Sequence, residues 1–252
     1  MKKILKSSPP NVLILYEISN PTKKWEDFRN FNGGKDYSKL KILIFQDQGQ
    51  LCAYCETRIE NNQYEKQRIE HFNDKSNSTP INNLHLKWDN VFGVCLGGSD
   101  IRNKDNPQFR TPENLSCDAY KGKNITILNP LYMISFPNLF QLDRRTCELK
   151  ANTSNCQLLS FLDNPYNTTE EFVTNTIRDL NLNCNRLTNN RYKILINYNQ
   201  EIEKGRKAKD RNVFKKLAQK WFSKKFPSFF TTRRILLGKH AEEFLIRNHY
   251  RG

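Results

Sequence analysis

The chain has no run of about 18 apolar residues and a mean hydropathy of −0.77, which excludes an expected transmembrane helix. A secretory leader is not expected either. Met1-Lys2-Lys3-Ile4-Leu5-Lys6 begins like one, but Pro9-Pro10 interrupt it before any apolar region develops. The run Val12-Leu13-Ile14-Leu15 is too short for a signal core and no small-residue cleavage site follows it. These absences point to the cytosol. No Gly-x-x-x-x-Gly-Lys-Ser/Thr loop occurs, so no P-loop ATPase activity is expected within this chain. Internal repeats and low-complexity tracts are also missing. Acidic residues are the scarcer sign, 26 Asp/Glu against 41 Lys/Arg, and the net charge of +15 favours a polyanionic partner such as nucleic acid.

At 252 residues the chain can bury roughly three quarters of its extended surface, enough for one or two domains without staples. Its seven cysteines are an odd number and unevenly placed. In a reducing compartment, a CxxC with two further well-placed thiols is more often a metal site than a disulfide pair.

One stretch, Leu51 to Gly122, concentrates the chemically able side chains. It holds Cys52 and Cys55, Glu70-His71, Trp88-Asp89-Asn90, Cys95, and Cys117-Asp118 with Lys121. The CxxC supplies a knuckle in which two thiolates reach one ion, and Cys95 and Cys117 would close a tetrahedral zinc site. A second CxxC is missing, because a long segment separates Cys95 from Cys117. His71 is the candidate general base, since an imidazole titrating near neutrality can take a proton from water. Glu70 offers the hard oxygen that Mg²⁺ or Mn²⁺ prefers. Neighbours on a regular strand point to opposite faces, so Glu70 and His71 share a site only where the strand ends or twists. Asn90 can hold the imidazole or its loop by amide hydrogen bonds, or be an ordinary turn residue. Asp118 can give a second carboxylate to the catalytic metal, or cap a short helix. Lys121 can meet a phosphate. Cys147, Cys156 and Cys184 are read as core thiols, and His85, His240 and His249 as structural. Together these residues suggest a structural zinc site supporting a hydrolytic, metal-dependent centre of nuclease type.

Around this stretch, Val12–Ile18 reads as a short strand. Thr22 is expected to cap a helix with Trp25 and Phe28 that ends at Gly33-Gly34, and Ser38 a second with Leu40, Leu43 and Ile44. Residues 59–72 suit a β-ribbon turning near Asn61-Asn62. Leu96 to Ser116 reads as an inserted loop, and Cys117–Lys121 as a short helical turn stopped by Gly122. Phe140–Leu142 and Cys147–Leu149 make a plausible hairpin. Helices follow: one behind a Thr168/Glu171 capping box, one with Leu187, Ile194, Tyr198 and Ile202, one with Val213, Phe214, Leu217 and Trp221, and a last one with Ile235 to Leu245. From Asn185 onward there are 18 Lys/Arg against 5 Asp/Glu. This basic region is expected to meet the phosphate backbone along one edge. Its apolar rows, Trp221, Phe222, Phe226, Phe229 and Phe230, are expected to dock a partner, the alternative being an internal helical core with a charged outer face.

Leu-Cys-Ala-Tyr-Cys-Glu (51–56), Arg-Ile-Glu-His-Phe (68–72), Trp-Asp-Asn-Val-Phe-Gly-Val-Cys (88–95), Cys-Asp-Ala-Tyr-Lys-Gly (117–122) and Leu-Asn-Pro (128–130) resemble an HNH endonuclease. More narrowly they resemble the PtuB-like HNH subunits of Septu and retron-associated anti-phage systems, as do Leu-Asn-Leu-Asn (180–183), Arg186-Leu187 and Arg191. The resemblance covers roughly residues 38–195. It implies an α+β chain with a ββα-metal HNH core and a four-cysteine zinc knuckle at 51–130. An N-terminal helical segment at 1–50 would pack on that core, and a hairpin and basic helical region would fill 131–252. His71 would activate water, Glu70 with a further residue would hold one Mg²⁺ or Mn²⁺, and Asn90 is the motif's middle letter. Asp118 stands where many such enzymes have His. DNA is the implied substrate, beside a separate PtuA-like ABC-type ATPase subunit and a retron reverse transcriptase complex. The rival readings are a zinc-stabilised DNA-binding adaptor without catalysis, and a ribonuclease toxin on the same core.

Overall fold

The computed structural model describes residues 1–79, 81–99, 112–123, 125–224 and 226–250. The expected strand near Val12–Ile18 is instead helix α1, Asn11–Ser19. Pro10 sets its N-cap in an extended conformation, and Leu13 and Tyr16, three apart, form its buried face. Helix α2, Trp25–Asn30, starts at Lys24 rather than Thr22, because Asp27 reaches back to accept the Lys24 backbone N–H at 2.9 Å. Asn32, Gly33 and Gly34 have positive φ and turn the chain into α3, Lys35–Asp47. Ser38 sits inside that helix, donating to the Gly34 carbonyl. Trp25, Phe28, Leu40 and Ile44 then form one buried cluster with Leu86, Trp88 and Val91. The N-terminal helices thus pack against the segment that leads into the site.

Strand β1, Arg68–His71, pairs antiparallel with β2, Val91–Val94, and Glu70 lies opposite Phe92 and His71 opposite Val91. The ribbon expected within 59–72 is therefore corrected, since β1 takes its partner from beyond the loop. Residues 60–66 are polar and lack alternation, and they form turns. Val91–Val94 is buried throughout, which suits a strand covered on both faces. Gly93 is needed there, because a Cβ would lie 2.8 Å from the Phe45 ring of α3. Of the expected loop from Leu96 to Ser116, residues 100–111 lie outside the described residues. The helical turn after it is a 3₁₀ turn, Cys117–Ala119.

A hairpin forms as expected, but β3, Phe140–Leu142, pairs with β4, Leu149–Ala151, two residues beyond the expected strand. The Asp143 carboxylate holds the Arg145 N–H at 2.9 Å and Cys147 takes a positive φ, so the turn extends to 148. Helix α4, Thr153–Cys156, precedes α5, Thr169–Asp179, whose Thr168/Glu171 capping box is present. Helices α6, Asn185–Lys207, and α7, Val213–Phe222, follow. The last expected helix is two, α8, Phe230–Leu237, and α9, Lys239–Arg247, broken at Gly238 with φ 51°.

Trp221, Phe222, Phe229 and Phe230 are buried in the main core, and Phe226 packs edge-on against Phe230 at 5.0 Å. Partner docking by these rings is therefore corrected: they hold α7 and α8 to the body. Arg191 of α6 is also buried, donating to the carbonyls of Leu182 at 2.5 Å and Cys147 at 3.3 Å. Glu56 accepts from the Thr231 N–H and hydroxyl, tying the CxxC turn to α8. Among the described residues, no helix is long and apolar enough to cross a membrane.

Candidate metal and nuclease centre

Four thiols converge from three segments. Cys52 and Cys55 lie on a turn closed by Cys52 N–H to Thr57 carbonyl and Glu56 N–H to Cys52 carbonyl hydrogen bonds. Cys95 follows β2 directly, and Cys117 opens the 3₁₀ turn. All four are buried, and their sulfurs lie within 4.8 Å of one another. Cys52–Cys117 is 3.8 Å, Cys55–Cys95 3.6 Å and Cys95–Cys117 3.9 Å. A tetrahedral zinc–thiolate site with bonds of about 2.3 Å requires sulfur–sulfur edges of about 3.8 Å. The spacing matches that requirement, so the cluster fits a metal such as zinc.

Its surroundings suit thiolates. The Gly97 N–H donates to the Cys95 sulfur at 3.3 Å, and the Ser116 hydroxyl lies 3.7 Å from the Cys117 sulfur. Arg186, at the start of α6, donates to the Ser116 hydroxyl at 2.6 Å and brings a guanidinium close to the cluster. Among the four thiols by themselves, hydrogen bonds from Cys117, Cys52 and Cys95 hold the Cys55 thiol well below its ordinary pKa, while neighbouring thiols and burial push Cys95 and Cys117 well above theirs. Gly97 has φ +62°, and a Cβ there would lie 2.2 Å from the Ser116 carbonyl oxygen. The two halves of the cluster therefore approach across a glycine.

Asp118, next to Cys117, opens onto a cleft of about 470 Å³ that Glu70, His71, Asn73 and Lys121 also line. β1 ends at His71, and Glu70 and His71 both line this cleft. Asp118 shares it with Glu70, so thiol cluster and cleft meet at the Cys117-Asp118 step. Burial pushes the Glu70 carboxyl up to about 8, the neighbouring Asp118 adding to the rise. Burial also acts upward on Asp118, but Glu70 and the Arg68 guanidinium, 3.1 Å away, outweigh it and hold Asp118 below its ordinary value. Lys121 Nζ lies 2.5 Å from Glu70 and 3.1 Å from the Phe72 carbonyl oxygen. A buried carboxylate, Glu70, and a partly exposed one, Asp118, line the same cleft and offer the hard oxygens that a small divalent cation prefers.

His71 is 9% exposed, and burial lowers its pKa to about 4, so the ring is neutral at pH 7. Its Nε2 lies 3.0 Å from the His85 carbonyl oxygen, which can only accept. The proton therefore sits on Nε2, leaving the Nδ1 lone pair available as a base. Asn90 does not touch the imidazole. Its Oδ1 accepts the Asn73 N–H at 2.7 Å, and its Nδ2 donates to the carbonyls of Asn73 at 3.1 Å and Leu84 at 2.9 Å. It braces both ends of the loop beside His71 and lines a neighbouring cleft of about 360 Å³.

Two contributors escape sequence reading. His85 acts through its backbone carbonyl, which has no sequence signature. Arg68 faces Asp118 across fifty residues, a pairing that only the fold creates. Cys147, Cys156 and Cys184 are buried away from the four-sulfur cluster, and His240 stacks on Phe214.

No protein-family model matches the chain. A protein of Escherichia coli, described as a candidate HNH endonuclease of retron Ec83, is 37% identical over 252 residues, covering 94% of this chain and 93% of that one. The mixed α+β fold and the four-thiol cluster agree with that class. The chain belongs to the retron-associated HNH endonucleases and is accordingly a nuclease.

Proposed function

We propose that the chain hydrolyses DNA phosphodiester bonds in the cleft of His71, Glu70 and Asp118. The observation that carries this reading is the neutral His71, with Nε2 anchored and Nδ1 free, lining one cleft with the carboxylates of buried Glu70 and half-buried Asp118. His71 takes the proton from the attacking water, a role worth about 10²–10⁴-fold in rate. Glu70 and Asp118 would hold one Mg²⁺ or Mn²⁺, which when bound supplies positive charge to the phosphate and the leaving oxygen. Lys121 would then turn from Glu70 toward the phosphate. Asn90 keeps the loop, and with it His71, in place.

Cys52, Cys55, Cys95 and Cys117 would hold structural Zn²⁺. We read β1, β2 and the segment through Cys117 as the ββα-metal core, within a central unit at 51–130 flanked by units at 1–50 and 131–252. The relative's name supports a retron association; on the sequence resemblance, the chain would act in the cytoplasm beside a reverse transcriptase complex and a PtuA-like ABC-type ATPase chain in a Septu-like antiviral role.

The test is cleavage of plasmid DNA and of RNA by the zinc-loaded protein in Mg²⁺ or Mn²⁺, alone and with the ATPase chain, beside Glu70→Gln. DNA cutting that Glu70→Gln abolishes is the expected result. Cutting of RNA alone would replace the substrate assignment with the ribonuclease reading. DNA binding without cutting under every condition would favour the adaptor reading.

A further inference from the structure

His71 is anchored by one hydrogen bond, and one bond fixes a ring atom without fixing the plane of the ring. A general base needs its lone pair aimed to within about 10–20° of the productive direction. Something else must hold the imidazole, and the contact on its face comes from outside the thiol-and-cleft stretch. The Trp25 indole of α2 meets the His71 ring edge-on, with centroids 4.9 Å apart and planes at 85°. Trp25 is 6% exposed and is itself held by Phe28 at 5.6 Å and by Tyr37, edge-on, at 5.8 Å.

The same residue also holds the side chain of His85, whose backbone carbonyl anchors His71. The Trp25 N–H donates to His85 Nδ1 at 3.2 Å, and the His85 carbonyl accepts from His71 Nε2 at 3.0 Å. Trp25, His85 and His71 thus close a triangle in which each member contacts the other two. Asn83 reinforces it: its Oδ1 takes the His85 N–H at 3.0 Å, and its Nδ2 donates to the carbonyls of Pro21 at 2.9 Å and Lys23 at 2.8 Å. The α1–α2 connection is stitched to the loop bearing His85 just ahead of Trp25 and at Trp25 itself.

We infer that Trp25 is a positioning residue for His71, fixing the plane of the imidazole through its ring and the anchoring carbonyl through its backbone. This rests on His71 being the general base. Edge-to-face packing needs an aromatic ring and is not supplied by an aliphatic side chain of similar bulk. The N-terminal helices are on this view part of the catalytic apparatus, not only a cover for the core.

The experiment uses the full-length, zinc-loaded protein and compares Trp25→Leu, Trp25→Phe and His71→Ala. Three quantities are read: the single-turnover rate of DNA cleavage, DNA affinity without added Mg²⁺ or Mn²⁺, and the His71 tautomer by ¹⁵N NMR. Trp25→Leu should slow cleavage about 10- to 100-fold, the scale of a 1 Å misplacement, with DNA affinity unchanged. Its His71 signals should average between tautomers, whereas Trp25→Phe should keep the Nε2–H form and a near wild-type rate. Wild-type rate and tautomer in Trp25→Leu, beside an inactive His71→Ala, would overturn the positioning role alone. Equal loss in Trp25→Phe and Trp25→Leu would overturn the requirement for a ring. Full activity in His71→Ala would remove the base assignment and this inference with it.

Discussion

Asn90 uses both ends of its amide, making three hydrogen bonds to Asn73 and Leu84 while almost fully buried. Asn90→Ala leaves those backbone groups unpaired in a dry environment, which costs about 1–3 kcal/mol per unsatisfied group. The denaturation midpoint should fall accordingly and cleavage should fall with it, because the braced loop carries the His71 anchor. Gly97 is a second single-residue test. The methyl group of Gly97→Ala would meet the Ser116 carbonyl at 2.2 Å and the Ala119 Cβ at 2.6 Å. Backbone cannot yield as a side-chain tip can, so Cys95 and Cys117 must separate. Metal content per chain, measured after chelator-free purification, should drop in that variant, while an alanine at exposed Gly33, strained by a similar positive φ but with nothing near its Cβ, leaves it unchanged.

At the scale of elements, the CxxC turn and the capping box are legible in the sequence and the strands only partly so. Cys52→Ser removes one of four ligands from a site whose metal contributes on the order of 10–16 kcal/mol of apparent binding. A markedly lower melting temperature is expected, and an unchanged curve would count against a structural metal. Glu171→Ala breaks the capping box of α5 and should cost about 0.5–2 kcal/mol by the same measurement. The box is readable because it is local, three residues apart. β1 is readable as a strand, but its partner is not, since pairing across the loop to Val91–Val94 depends on burial that no short window reveals. Helix α1 reads as a strand because Val12, Ile14 and Ile18 weigh that way, while Leu13 and Tyr16 at helical spacing decide which face is buried. The break at Gly238 needs its positive φ to be seen. In the site, Glu70, His71 and Asp118 are legible from their side-chain chemistry, whereas Trp25 and His85 act through a ring edge and a carbonyl.

The whole molecule joins a basic exterior to a core that runs from the knuckle into the C-terminal helices. With Trp221, Phe222 and Phe230 turned inward, most of the described Lys and Arg beyond Asn185, buried Arg191 and Arg234 apart, are left for the outer face. DNA binding should therefore weaken steeply with salt, with a logarithmic slope of about −0.9 for each phosphate neutralised. Titrations from about 50 to 200 mM salt check this, and a flat response would argue that phosphate contacts do not hold the substrate.

The most direct measurement of the central claim is nicking of supercoiled plasmid by the zinc-loaded chain in Mg²⁺ or Mn²⁺, set beside His71→Ala of equal metal content and melting temperature. Nicking that falls by about 10²-fold or more in His71→Ala is the predicted result. Equal nicking by both proteins would contradict the assignment of His71 as the base.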